Sequence, residues 1–320
     1  MKPGAKSLLV EGGGSHTWVM VADRKELWAE QWLPSLNRIG ASEESQRSVL
    51  ADVARAAAPF TDIDNALFAV GAACTMTYLH ELADIMTRTL PASARPPGRT
   101  YLTNDVVPLF FAEPDDCDQL VVIAGTGSGV AARRGFRAIS RAGAHEYLLG
   151  DDGGAYDIGR HALRAVIARR EGRGPATALT ERAEQRTAGA EIDRFVYGAA
   201  SPKQSVAEFA RDVFAADQAG DPVAGEILSR AAARLAGICR AALASAGLSA
   251  PITATFTGSL FTEPTGGFRR RIEEQLPDLG VSTCRGAAVD LGLLKRTSQA
   301  LRCDQGIFEA IVTAVPAIRL

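Results

Sequence analysis

Residues 8–21, LLVEGGGSHTWVMV, set three consecutive glycines, Gly12 to Gly14, between two apolar runs. The flanking stretches 7–11 and 17–22 read as short strands, so the glycines turn a hairpin. A two-residue Asn-Gly turn would reverse the chain more simply. Three glycines do something further: they let backbone N–H groups approach an anion closely and take positive φ at little cost. Ser15 and Thr17 follow with hydroxyl donors, and the carboxylate of Glu11 stands just before the turn. The reading is a phosphate-holding hairpin tip, with a plain turn as the alternative.

The pattern begins again in QLVVIAGTGSGVAARRGFRAISRAGA, 119–144, as an apolar strand, a glycine turn from Gly125, a second strand and a third. Neither turn is a Walker A loop, because no G-x-x-x-x-G-K-[ST] occurs in the chain. GTGSGV resembles the dinucleotide fingerprint superficially, but Val130 holds the third glycine position and a strand-like VAARR follows where a helix should. Two hairpin tips directed into one cleft would instead clamp a polyphosphate from both sides.

Between and after the turns the chain alternates. ELWAEQW (26–32) reads as a strand and 41–58 as a helix capped by Ser42. ALFAVGAA (66–73) reads as a buried strand and Met76 to Leu90 as an amphipathic helix. YLTND reads as a further strand. Helical patterns over 158–171, 204–216 and 222–246 precede a strand-like PITATFTGSLF (251–261) and two more helical segments. Two copies of hairpin plus helices predict an α/β protein of two duplicated domains facing each other across a cleft. The expected division is 1–112 and 113–320. The last stretch, from Cys303, reads as a C-terminal helix with an apolar tail.

The 320 residues suffice for two domains, and 47% hydrophobic with 22% charged residues suit a packed, water-facing protein. Lys+Arg at 35 against Asp+Glu at 37 lacks the basic excess of a nucleic-acid binder. No uninterrupted apolar run is long enough to span a membrane, and the start lacks a signal-peptide core, so the expected compartment is the cytoplasm. Cys74, Cys117, Cys239, Cys284 and Cys303 are scattered and read as reduced thiols. HELAD (80–84) lacks the second histidine of a zinc motif, and no Cys/His metal site is visible.

VEGGGSHT, TND, VVIAGTGSG, LLGDDGGAYDIGRHALRAV, GRGPATALTE, DPVAGEILSRAA and TFTGSLF follow one another in an order and spacing that resemble a known family. It is the BadF/BadG/BcrA/BcrD-type ATPases of the actin-like/sugar-kinase/Hsp70 superfamily, and especially their N-acetylglucosamine and glucosamine kinases. The resemblance implies ribonuclease H-like (actin-like ATPase) domains, ATP with Mg²⁺ as cofactors, a small sugar as substrate and a homodimer. It makes Gly12, Gly13, Gly14, Ser15, His16 and Thr17 the first phosphate motif and Gly125, Thr126, Gly127 and Ser128 the second, with Gly258 and Ser259 beside the adenosine.

It also makes Asp105 the general base that takes a hydroxyl proton, where the residues alone allow a mere turn after a strand. Asn37, Asn104, Asp105, His145 and Asp151 become sugar contacts. Asn37 can equally cap its own loop, Asp151 can equally cap a helix, and His145 can be a surface histidine. Glu11 and Asp152 fall near the metal. Here the chain departs from its relatives, which carry Asp before the glycines and Glu as the second acid of GDE; one side chain is longer and one shorter, a compensating pair. His16 replaces a common lysine, His145 a common tryptophan, and Ser259 the second glycine of the adenosine motif. The acceptor implied is therefore an amino sugar, by default at its 6-hydroxyl, or an aminocyclitol-like polyol. A sugar-sensing pseudokinase and an ATPase activator of a radical dehydratase are the other readings.

Overall fold

A computed structural model describes residues 5–14, 16–37, 42–71, 73, 75–249, 251–262, 267–276, 279–285 and 289–320. Ser15 and Cys74 lie outside the described residues, and the Cys284 side chain is likewise not described.

The elements in order are β1 (Lys6–Gly12), β2 (His16–Ala22), β3 (Leu27–Pro34), α1 (Glu43–Ala57), β4 (Ile63–Val70), α2 (Met76–Thr89), β5 (Thr100–Asn104) and a 3₁₀ turn at Val107–Ala112. There follow β6 (Asp118–Ala124), β7 (Ser128–Arg134), β8 (Ala138–Gly143), α3 (Glu146–Leu149), α4 (Ala155–Arg170), α5 (Leu179–Arg186), α6 (Ile192–Tyr197), α7 (Pro202–Gln218) and α8 (Pro222–Ser245). The chain ends with β9 (Ile252–Thr257), a 3₁₀ turn at Ser259–Phe261, α9 (Gly267–Glu273), β10 (Leu279–Arg285), α10 (Leu291–Cys303), α11 (Gln305–Ala314) and β11 (Ala317–Arg319).

Two sheets carry the α/β architecture, in the orders β11-β5-β4-β1-β2-β3 and β10-β9-β6-β7-β8. Without β11 both have one plan: third, second, first, fourth and fifth strand of each half. In the first sheet β1, β2 and β3 are antiparallel neighbours, while β1, β4 and β5 run parallel. The repeat expected from the two glycine turns is present as repeated strand order.

Two compact units divide the chain: 1–119 with 132–141 and 288–320, and 120–131 with 142–287. The expected division at residue 112 left the whole tail in the second half; α10, α11 and β11 belong instead to the first unit. Pairing explains it: Ala317, Ile318 and Arg319 lie opposite Thr103, Leu102 and Tyr101 of β5.

In the first unit, Leu8 and Val10 on β1 join Val49, Leu50 and Val53 of α1 and Leu79, Leu82 and Met86 of α2 in one core. Leu9 is equally buried but points to the other side of the sheet. There α10 approaches, and Ser298 donates to Asn65 of β4 at 2.6 Å. Covered on both faces, β1 buries Leu8, Leu9 and Val10 completely, each worth about 1.5–3 kcal/mol. Ser42 caps α1 as expected, its hydroxyl accepting the Ser45 N–H at 3.2 Å.

The second unit is richer in helix. α7 and α8 start with Pro in the first turn behind the caps Ser201 and Asp221, whose oxygens accept from the Gln204 and Ala224 N–H groups. The strand expected over 251–261 stops at Thr257, because Gly258 takes φ 108° and opens a 3₁₀ turn. The two helical segments expected after it are α9 and α10, with β10 between them, and the C-terminal helix expected from Cys303 is α11. No helix among the described residues is long and apolar enough to cross a membrane.

Candidate active site

In the first unit, the C-terminal ends of the parallel strands β1, β4 and β5 lie side by side, with Gly12 opposite Val70 and Val70 opposite Asn104. That end of a parallel sheet is where α/β proteins bind ligands. The glycine turn closes with the Gly13 N–H donating to the His16 carbonyl at 2.9 Å, and the Gly71 N–H donates to the Gly12 carbonyl at 2.6 Å. A Cβ on Gly71 would stand 3.0 Å from Asp105 Oδ2 and 3.2 Å from the Gly12 carbonyl. The Asp105 carboxylate thus lies against the backbone beside the first glycine turn. Asn104 aims it: Oδ1 accepts the Val106 N–H at 3.0 Å and Nδ2 donates to the Ala73 carbonyl at 3.5 Å. Asn104, named from sequence as a sugar contact, is buried and supports this turn.

Glu11 is the second acid here. Burial, and then the negative charge of Asp105, push its carboxyl up from 4.5 to about 8. Two acids in one partly buried place are a natural seat for a cation, whose charge would relieve their repulsion. The donor chemistry of Glu11 therefore fits a hard divalent ion held mainly by phosphate oxygens.

The other first-unit candidates separate into tip and support. Gly14 is exposed, has no heavy atom of the described residues beyond its chain neighbours within 4 Å of a Cβ placed on it, and does not take positive φ. His16 is exposed and meets Trp32 edge-on at 6.5 Å between ring centroids. Thr17 is fully buried, and its hydroxyl accepts the Leu36 N–H at 3.0 Å, so it secures the loop after β3. That loop is fastened again by Ser35, whose hydroxyl donates to the Gly13 carbonyl at 2.7 Å. Asn37 follows, buried, its N–H donating to Ser35 Oγ at 3.0 Å.

In the second unit, the turn between β6 and β7 closes with the Gly125 N–H on the Gly127 carbonyl at 2.9 Å. The carbonyls of Gly125 and Thr126 accept the Ala155 and Tyr156 N–H groups at 2.8 and 3.0 Å, docking the turn on the start of α4. Ser128 is committed to the same joint: its hydroxyl donates to the Asp152 carbonyl at 2.7 Å and its N–H to the Asp151 carboxylate. A Cβ on Gly127 would stand 2.7 Å from Asp151 Cγ, so the glycine makes the space this carboxylate fills. Gly125 and Ser259 also meet, 3.8 Å separating a Cβ at 125 from Ser259 Oγ. Gly258, at φ 108°, passes so near β6 that a Cβ would lie 2.6 Å from the Ala124 carbonyl carbon.

Asp151 sits on left-handed backbone at φ 58°. Burial and the charge of Glu146 lift its carboxyl to about 6, while Lys203 and the Ser128 N–H hold it down. His145 is exposed at the head of α3. Asp152 is half exposed, and its Oδ1 lies 3.6 Å from Arg234 Nε, so its charge is partly balanced without a metal. Among the described residues, no three His, Cys, Asp or Glu side chains gather into a metal cluster.

Four residues that the sequence reading missed complete this half. Asp157 accepts the Gly153 N–H at 3.0 Å and an Arg234 N–H at 2.6 Å, fixing the turn that carries Asp151. Burial alone would push the Asp157 carboxyl up, yet bonds from His161, Gly153 and Arg234 hold it well below the usual carboxylate range. Lys203 and Glu146 are the others, 2.6 Å apart. An acid in the first turn of a helix is a readable signal for Asp157. Nothing in the sequence pairs Lys203 or Arg234 with residues so far upstream.

The profile of the BadF/BadG/BcrA/BcrD ATPase family matches residues 10–285. The chain belongs to this family of ATPases. Among solved structures, this BadF/BadG/BcrA/BcrD-type chain is similar to a candidate N-acetylglucosamine kinase from Porphyromonas gingivalis, at TM-score 0.69 and 19% identity over 91% of this chain and 98% of that one. A candidate N-acetylglucosamine kinase from Chromobacterium violaceum gives TM-score 0.63 and 19% identity, covering 96% and 99%. A ROK family glucokinase from Streptomyces griseus, solved with glucose and AMPPNP, gives 0.55 and 14%, covering 93% and 99%. The fold is thus the actin-like ATPase fold of sugar kinases. By sequence, an N-acetylmuramic acid/N-acetylglucosamine kinase from Clostridium acetobutylicum is 28% identical over 141 residues, 43% of this chain and 46% of that enzyme. The aligned stretch spans about half of that relative's length.

Proposed function

We propose that the protein is an ATP-dependent kinase that phosphorylates a hydroxyl of an amino sugar, N-acetylglucosamine or a near relative, by default the 6-hydroxyl. The observation that carries this reading is the seat of Asp105 at the end of β5, beside the backbone of the first glycine turn and with Gly71 cleared of a side chain to admit it. A carboxylate and an anion-holding turn side by side are what phosphoryl transfer to an alcohol requires.

In this reading Asp105 accepts the proton of the acceptor hydroxyl as its oxygen bonds to the γ-phosphorus and the bond to ADP breaks. The turns at Gly12–Gly14 and Gly125–Gly127 present N–H groups and glycine surfaces to the phosphates. Ser259, against Gly125, lies on the adenosine side. Asp151, and Asn37 in the first unit, take sugar hydroxyls. Mg²⁺, when bound with the nucleotide, would neutralise phosphate charge, with Glu11 as its protein carboxylate and Asp152 contributing through water. The Clostridium acetobutylicum kinase named for amino sugars supports this choice of acceptor class.

An ADP-release assay over glucosamine, N-acetylglucosamine, N-acetylmuramic acid and aminocyclitols tests the reading. Release that depends on one of these acceptors is expected. ADP release indifferent to every acceptor, or no release at all, would refute it.

A further inference from the structure

Lys203 stands in the first turn of α7, where a cation works against the helix dipole. Two carboxylates offset that placement. Its Nζ lies 2.6 Å from Glu146 Oε2 and 3.9 Å from Asp151 Oδ2, over the Tyr147 ring at 5.2 Å from the centroid. All three charged side chains are largely screened from water, at 20%, 19% and 8% exposure for Lys203, Glu146 and Asp151. An ion bridge under such cover is worth more than an exposed one.

The backbone gives a second, independent observation. Glu146 has φ 63° and Asp151 φ 58°, and Ala144 between β8 and α3 has φ 57°. Outside this segment, Ala188 alone among the described non-glycine residues has positive φ. Each such conformation is unfavourable for a side-chain-bearing residue and persists only where surrounding contacts over-determine it. The two strained acids are the two that Lys203 addresses. Removing the lysine would leave two carboxylates, already next to Asp152, repelling one another on strained backbone.

We propose that Lys203, anchored by Glu146, is a positioning residue that clamps residues 144–151 and holds Asp151 for the substrate. A carboxylate offers about four acceptor sites. The Ser128 N–H takes one, Lys203 draws on Oδ2, and the remainder are those that neighbouring hydroxyls of a polyol would use. The identity of that ligand rests on the sugar-kinase reading; the clamp itself does not.

The test compares wild type, Lys203→Met, Lys203→Arg and Glu146→Gln by amide hydrogen exchange without ligand and by steady-state kinetics with sugar and ATP varied separately. Methionine keeps the stem over Tyr147 and removes the charge. Exchange across 144–152 should quicken about tenfold in Lys203→Met and less in Glu146→Gln. The KM for sugar should rise about tenfold while the KM for ATP and kcat stay within about twofold, and Lys203→Arg should recover most of the loss. Unchanged exchange would overturn the clamp, and quicker exchange with an unchanged sugar KM would overturn its role toward substrate. A wild type that turns over no sugar defeats the kinase reading, and the exchange result alone then decides the clamp.

Discussion

Gly127 and Asp151 share one space: a Cβ on residue 127 would stand 2.7 Å from Asp151 Cγ, well inside van der Waals contact. The first unit repeats the device, since Gly71 gives way to Asp105 at 3.0 Å. In each unit a glycine next to the strand ends is what lets a carboxylate lie on backbone. Gly127 has no positive φ, so alanine is compatible with the chain path and must instead push the carboxylate aside. Gly127→Ala should lower kcat/KM for the sugar about 100-fold with the larger change in the sugar KM. Steady-state kinetics with ATP saturating read it; an unchanged sugar KM would separate Asp151 from substrate.

Gly14 supplies the opposite case. Among the described residues, its chain neighbours aside, nothing comes within 4 Å of the place a side chain there would take, and its φ is not positive. Folding therefore does not need glycine at this position, whereas a ligand passing close to the backbone, as the proposed function has it, would. Gly14→Ala should leave stability within about 0.5 kcal/mol. The KM for ATP should rise about tenfold or more. Urea unfolding and ATP titration decide it, and an unaltered ATP requirement would make the first turn a plain hairpin.

The acidity of Glu11 predicts a pH dependence of stability. Its carboxyl titrates at about 8 in the folded chain against 4.5 as a free side chain, so between those values the folded state holds a proton that the unfolded state has released. Stability must then fall as pH rises from about 5 to about 8. Glu11→Gln removes that part of the slope. Thermal midpoints in metal-free buffer at pH 5, 6.5 and 8 should show the variant gaining on wild type by roughly 2–4 °C at the alkaline end. Parallel curves would contradict the buried seat of Glu11 beside Asp105.

What the sequence made legible follows from the range of the interactions concerned. The glycine turns, the strands around them and the cap of α1 at Ser42 are set by neighbours in the chain, and each lies where its residues predict. β11 was not legible because only Ala317, Ile318 and Arg319 form it, and they pair with β5 more than 200 positions away. Thr17 and Ser128 show the same limit in the site. Both look like hydroxyl donors at a phosphate tip, yet one accepts from Leu36 and the other donates to Asp152. A hydroxyl satisfied by backbone reads in sequence like one offered to a ligand. Lys203 reads as an ordinary helix-start lysine until the fold brings it to Glu146 and Asp151.

The most direct measurement is sugar-dependent ADP release by Asp105→Asn, an isosteric change, alongside equilibrium ATP binding. Loss of the base should lower kcat by about 10²–10⁴-fold while ATP affinity stays within about threefold of wild type. A variant that turns over the sugar at the wild-type rate would contradict the account, because no proton acceptor would then be needed at the end of β5.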